Sequence, residues 1–153
     1  MTGPGLAIWV DADACPAVIR EVLFRAANRL GVTTTLVANH HIRVPRSPHI
    51  RSTQVASGFD KADDHIADQV RAGDLVITGD IPLAARVVEN GGTALNPRGT
   101  LYDAESIREH LGRRDFMEEL RSAGVQTGGP SSLSKGDVQV FANALDRFLA
   151  RAG

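Results

Sequence analysis

Two apolar runs that each stop at acids constrain this chain most. Ile8-Trp9-Val10 leads into Asp11-Ala12-Asp13, and Leu75-Val76-Ile77-Thr78-Gly79 leads into Asp80. A continuous apolar run of this length reads as a strand buried on both faces, the kind found in parallel sheets covered by helices. The residues at the end of such a strand arrive at the carboxyl edge of the sheet, where open α/β sheets bind their ligands. Two strands that bring acids to one edge point to a site for a hard cation.

The pattern along the chain supports that architecture. Leu6 to Val10 reads as a strand. A helix then runs to about Leu30, with Pro16 in its first turn, Val18, Ile19, Val22, Leu23 and Ala26 on one stripe, and Gly31 as its stop. Thr33 to Ala38 is β-branched and short, a second strand. Strand, helix and strand make a right-handed βαβ unit. Pro45 and Pro48 break regular structure, so Arg43 to Arg51 reads as a loop or flap, with a short strand at Thr53 to Ala56. Lys61 to Arg71 reads as a helix, Asp74 to Thr78 as a strand, Ile81 to Glu89 as a helix and Thr93 to Leu95 as a strand. Ala104 to Leu111 and Phe116 to Ala123 look helical, and Gly124 to Ser134 is a Gly/Pro/Ser-rich loop. Ser134 to Arg151 is an amphipathic helix with Val138, Phe141, Leu145 and Phe148 as its stripe. The expectation is an α/β fold: one three-layer domain over residues 1–153, a doubly wound, mostly parallel sheet with extra C-terminal helices.

Composition narrows the class. At 153 residues and 42% hydrophobic the chain can bury a core without staples. Cys15 is the single cysteine, so no internal disulfide is possible, and no run is long and apolar enough for a membrane span. A soluble cytoplasmic protein is expected. The net charge of −1 argues against indiscriminate coating of nucleic acid, but the charge is unevenly placed. Val22 to Phe59 holds no Asp or Glu, yet carries Arg25, Arg29, Arg43, Arg46, Arg51, His40, His41 and His49; Asp60, Asp63, Asp64, Asp68, Asp74 and Asp80 come after it. A basic stretch beside acids suits phosphates held near a metal; a mixed solvated surface is the plain alternative.

Mg²⁺ and Mn²⁺ take oxygen ligands from separate elements and keep several waters. Asp11 and Asp13, if extended, share one side of the chain. Asp80 ends the later strand, and Asp63 and Asp64 open a helix. These acids can meet at one sheet edge. Each also has a structural reading: Asp63 and Asp64 complement a helix dipole, Asp80 caps a helix, and Asp13 supports the turn before Pro16. Cys15 near a helix start is a candidate nucleophile, though a small buried residue is the expectation, and His65 is a candidate proton carrier on a surface helix. Trp9 is expected in the core.

The strings Asp11-Ala12-Asp13-Ala14-Cys15-Pro16, Asn39, Gly58-Phe59-Asp60-Lys61-Ala62-Asp63-Asp64 and Ile77-Thr78-Gly79-Asp80-Ile81-Pro82-Leu83-Ala84 resemble the YaiI/YqxD family of bacterial proteins, as do Asn96-Pro97-Arg98-Gly99 and Gly128-Gly129-Pro130. The family name carries little chemistry. More remotely, the chain is similar to the PIN-like nucleases, which implies a PIN-like or Rossmann-like sheet and a divalent-metal-dependent nuclease, with RNA the expected substrate. That resemblance implies Asp11, Asp80 and Asp63 or Asp64 as ligands of Mg²⁺ or Mn²⁺, and Asp13 as an extra member of the catalytic set. Asn39, Arg43, Arg46 and Arg51 are the candidate substrate contacts. Two other readings stand beside it. One is a metal- or nucleic-acid-binding module without turnover. The other is a haloacid-dehalogenase-like phosphatase with Asp11 as nucleophile and Asp13 as acid, which would have to use Lys61 or Lys135 as its lysine.

Overall fold

The structure is a computed structural model that describes residues 6–58, 61–113 and 133–152. Strand β1 (Ala7–Asp11) passes through a single 3₁₀ turn (Ala12–Ala14) into helix α1 (Ala17–Leu30). Then come β2 (Thr33–Ala38), β3 (Ile50–Gln54), α2 (Lys61–Gln69), β4 (Leu75–Ile77), α3 (Ile81–Glu89), β5 (Thr93–Leu95) and β6 (Leu101–Tyr102). Residues 107–113 are helical (α4), and α5 (Lys135–Ala152) closes the described chain. The expected helix at Phe116 to Ala123, and residues 124–132 of the expected loop, lie outside the described residues.

The sheet has six strands in the order β3-β2-β1-β4-β5-β6. All neighbours are parallel except β5 and β6. The order reverses between β1 and β4, the two strands that end in acids. Alternation along the strands sorts the two faces. Ile8, Val10, Leu36, Leu75, Ile77 and Leu95 pack with α1 and α5 through Ile19, Leu23, Phe141 and Leu145. Val37 and Val76, with half-buried Trp9, pack with α2 and α3 through Ile66, Leu83 and Val87, and with Val70 just past the end of α2. Helices on both faces give the three layers expected. Each fully buried Leu, Ile or Phe contributes roughly 1.5–3 kcal/mol by leaving water.

Local chemistry explains the ends of the elements. Gly31 adopts φ 68°, the left-handed conformation that ends a helix, and its N–H donates to the Ala27 carbonyl. Pro16 stands one residue earlier than expected, as the cap of α1 in an extended conformation. At α5, the Ser134 hydroxyl accepts from the Asp137 N–H (3.1 Å) while the Asp137 carboxylate accepts from the Ser134 N–H (3.0 Å), a reciprocal cap. Arg98 donates to the same Asp137 carboxylate at 3.0 Å, and Gly99 (φ 97°) lies directly under Val140 and Phe141 of α5. The Asn96-Pro97-Arg98-Gly99 string is thus the seat of the last helix.

Two departures from the sequence reading concern strands. The third strand is Ile50–Gln54, not Thr53 to Ala56, so Arg51 lies on an edge strand instead of a loop. Its outward residues are polar, because an edge strand covered on one side needs no continuous apolar run. The pair Leu101–Tyr102 adds an antiparallel edge too short to leave a periodic signal.

Candidate active site at the sheet switch point

Asp11 is the last residue of β1 and is 7% exposed. It stands two residues beyond Trp9 and so lies on the α2/α3 side of the rim. Thr78, one residue past β4 and 1% exposed, donates its hydroxyl to Asp11 Oδ2 at 3.0 Å. The same hydroxyl oxygen accepts the Asp80 N–H at 3.0 Å. One buried threonine therefore ties together the ends of the two strands that flank the reversal. Sequence reasoning does not single out Thr78; its one signal is a β-hydroxyl at the end of an otherwise apolar strand.

Burial pushes the Asp11 carboxyl above its ordinary value of 3.8. The Thr78 hydrogen bond works against that shift, and the nearby charges of Asp80 and Asp13 add to it. No cationic side chain pairs with Asp11 or Asp80 among the described residues. Asp80 also caps α3, its Oδ1 accepting the Leu83 N–H at 2.9 Å. The structural role expected of it is realised while the residue stays at the rim.

Asp13 does not extend from Asp11 as expected, because the 3₁₀ turn carries it away from the strand direction. Both its oxygens reach the exit of β2. Oδ2 accepts the Asn39 N–H at 3.1 Å, and Oδ1 is in ion-pair contact with His40 Nδ1 at 2.9 Å. Asn39 thus contributes its backbone to the rim. Asp64, in the first turn of α2, pairs with Arg86 of α3 at 2.9 Å on the surface, and its neighbour Asp63 is also engaged.

The three arginines do not gather at the rim. Arg43 lies between Ile42 and Val44, which pack on the α1/α5 side. Arg46 adjoins Ser47, whose hydroxyl meets Asn28 late in α1, and the nearby His49 carbonyl accepts the Thr34 N–H at the start of β2 (2.7 Å). That is the opposite end of the sheet. Arg51 pairs in register with Thr35, two residues below the level of Asp11, which aligns with Val37. Two strands across and two residues down place Arg51 about 12 Å from Asp11 along the backbone. All three are exposed, with no acidic partner among the described residues.

Cys15 is buried, and its thiol is pushed up to about 12 by that burial, so it is packing and not a nucleophile. His65 stacks edge-on to Trp9 at 6.5 Å between ring centroids. Trp9 also donates Nε1–H to Asp74 at 3.2 Å, below the opposite rim. Lys61 and Lys135 open α2 and α5 and are exposed.

The donors at the rim are hard carboxylate oxygens, the kind that suits Mg²⁺ or Mn²⁺ over softer ions. Among the described residues no three His, Cys, Asp or Glu side chains stand close enough to enclose an ion by themselves. An ion here would keep several waters, as Mg²⁺ habitually does. No helix among the described residues is long and apolar enough to cross a membrane.

Comparison with known proteins agrees with the sequence resemblance at the family level. The family profile described as "Uncharacterized BCR, YaiI/YqxD family" matches residues 9–151. A UPF0178 protein of Photobacterium profundum is 67% identical over 144 residues, covering 94% of this chain and 96% of that one. One from Halorhodospira halophila is 67% identical over 94% of this chain and 95% of its own. One from Syntrophotalea carbinolica is 62% identical over 94% and 97%. No solved structure matches the chain.

Proposed function

From a chain that belongs to the YaiI/YqxD family, and from the geometry of its rim, we propose a divalent-metal-dependent phosphodiesterase that hydrolyses nucleic acid, with RNA preferred. The observation that carries this reading is the placement of Asp11 and Asp80. They leave the two strands between which the sheet order reverses, where doubly wound sheets bind ligands. Asp11 is buried beside like charges, and no cationic side chain among the described residues pairs with Asp11 or Asp80.

Asp11 and Asp80 would hold the Mg²⁺ or Mn²⁺, with Asp63 or Asp64 reached only from the first turn of α2. A bound ion would supply a polarised phosphoryl oxygen and an acidified water. The chain does the rest. Thr78 fixes the rotamer of Asp11 and the backbone of Asp80, so neither needs to reorganise when the substrate arrives. Asp13 locks the β2 exit against the β1 exit and so shapes the floor beside the acids. Arg43, Arg46 and Arg51 are spread along the β2–β3 side. Three separated cations suit an extended polyanion better than a single phosphate. That spacing favours a nucleic acid over the small phosphoester that a phosphatase with Asp11 as nucleophile would take.

The test is Mn²⁺ titration by calorimetry beside hydrolysis of a labelled single-stranded RNA, on the wild type and on Asp11→Asn and Asp80→Asn. The expected result is loss of both signals in both variants, with circular dichroism unchanged. Metal-dependent RNA binding without cleavage in the wild type would replace this reading with a binding module.

A further inference from the structure

The sequence marks His40 only as a member of the basic stretch, yet the fold brings it to the site. It lies three residues past Val37, the register partner of Asp11, and so stands over the β2 side of the rim. Asp80 stands on the β4 side. The two therefore flank Asp11 from opposite directions.

Its ring stands against a carboxylate: Asp13 Oδ1 and His40 Nδ1 are in ion-pair contact at 2.9 Å. The second Asp13 oxygen is held by the Asn39 N–H at 3.1 Å, so the carboxylate cannot swing away from the ring. The side chain is 62% exposed, so the ring is open to solvent. A carboxylate against one nitrogen of a solvent-exposed imidazole is an arrangement that acid–base sites use. No other charged side chain pairs with Asp13 among the described residues.

We infer that His40 is the proton donor to the leaving oxygen of a nucleic-acid phosphodiester, and that Asp13 is its positioning residue. The inference rests on the phosphodiesterase reading of the same rim. Hydrolysis forms a bond from the water oxygen to phosphorus and breaks the bond from phosphorus to the leaving oxygen. The leaving oxygen keeps the bonding pair and takes the proton from His40 Nε2. The proton lost by the attacking water passes to solvent, from which His40 is reprotonated. In-line displacement puts the nucleophile and the leaving group on opposite sides of phosphorus. The rim offers the Asp80 carboxylate on the β4 side of Asp11 and the His40 imidazole, with Asp13 beside it, on the β2 side.

The test compares two RNA oligonucleotides that differ only in the scissile leaving atom, oxygen or sulfur, since a thiolate leaves without a proton. For His40→Gln the expected result is a kcat lowered about 10²–10⁴-fold on the oxygen ester, an unchanged KM, and a rate near that of the wild type on the sulfur ester. Asp13→Asn should show a smaller loss with the same rescue. Nitrogen-15 spectra should show His40 held with hydrogen on Nδ1 in the wild type and released in Asp13→Asn. Equal loss on both esters, or no loss on either, overturns the role of His40 while leaving the phosphodiesterase reading intact. A wild type that cleaves neither ester overturns both.

Discussion

Asp74 makes the sharpest stability prediction. It is 7% exposed at the amino edge of the sheet, and its carboxylate gathers three donors from two other parts of the chain. Oδ1 accepts the Ala7 N–H at 3.0 Å, while Oδ2 accepts the Arg71 N–H at 2.9 Å and the Trp9 indole N–H at 3.2 Å. Asp74→Ala strands all three at once. Hydrogen bonds to a charged acceptor are worth about 1.5–3 kcal/mol each when buried; discounted for the partial exposure of these donors, the three sum to about 3–5 kcal/mol. For a chain of this length each kcal/mol moves the melting midpoint by about 2–4 °C, so Asp74→Ala should melt about 6–20 °C lower. Asp74→Asn should also destabilise, because its amide group would face donors on one side. Trp9 is the only tryptophan, so its fluorescence reports the same bond directly, and its emission should change in the folded variant. A midpoint within about 2 °C of the wild type, with unchanged emission, would refute the view that this carboxylate ties β1 to β4.

The site and its surroundings carry other expectations. Because burial raises the Asp11 pKa, the folded chain holds that proton more tightly than the unfolded chain. The stabilising contribution is complete below the ordinary carboxyl value of 3.8 and is lost as pH rises through the folded value. Asp11→Asn should therefore be more stable than the wild type to urea at neutral pH, and the difference should close as pH falls toward 3.8. Gly99→Ala would place a methyl 2.5 Å from Val140 Cγ1 at φ 97°, and should cost about 2–4 kcal/mol in a denaturant titration. With its thiol pushed up to about 12, Cys15 should resist a thiol reagent at pH 8 in the native protein and react fully in guanidinium.

Local chemistry made much of the fold legible. The apolar runs at Ile8 and Leu75, the Gly31 stop and the stripe of Phe141 and Leu145 each state their own burial, because strand and helix periods are properties of a few adjacent residues. Asp11 and Asp80 were legible as partners for the same reason: each stands at the end of a buried strand. What the chain did not reveal by itself depends on register and crossing. β3 hid behind two prolines, since an edge strand needs neither an apolar run nor alternation. The arginines looked clustered because they are close in sequence, but the segment between β2 and β3 runs back along the sheet and spreads them from the rim toward its far end. Conversely, Asp13 and His40 are 27 residues apart and meet at 2.9 Å, because parallel pairing of β1 and β2 puts both strand exits at one edge. Sequence alone determined which strands are buried and that acids end two of them. Tertiary structure decided which charges share that edge, because side chains distant along the chain become neighbours only when the strand order is set.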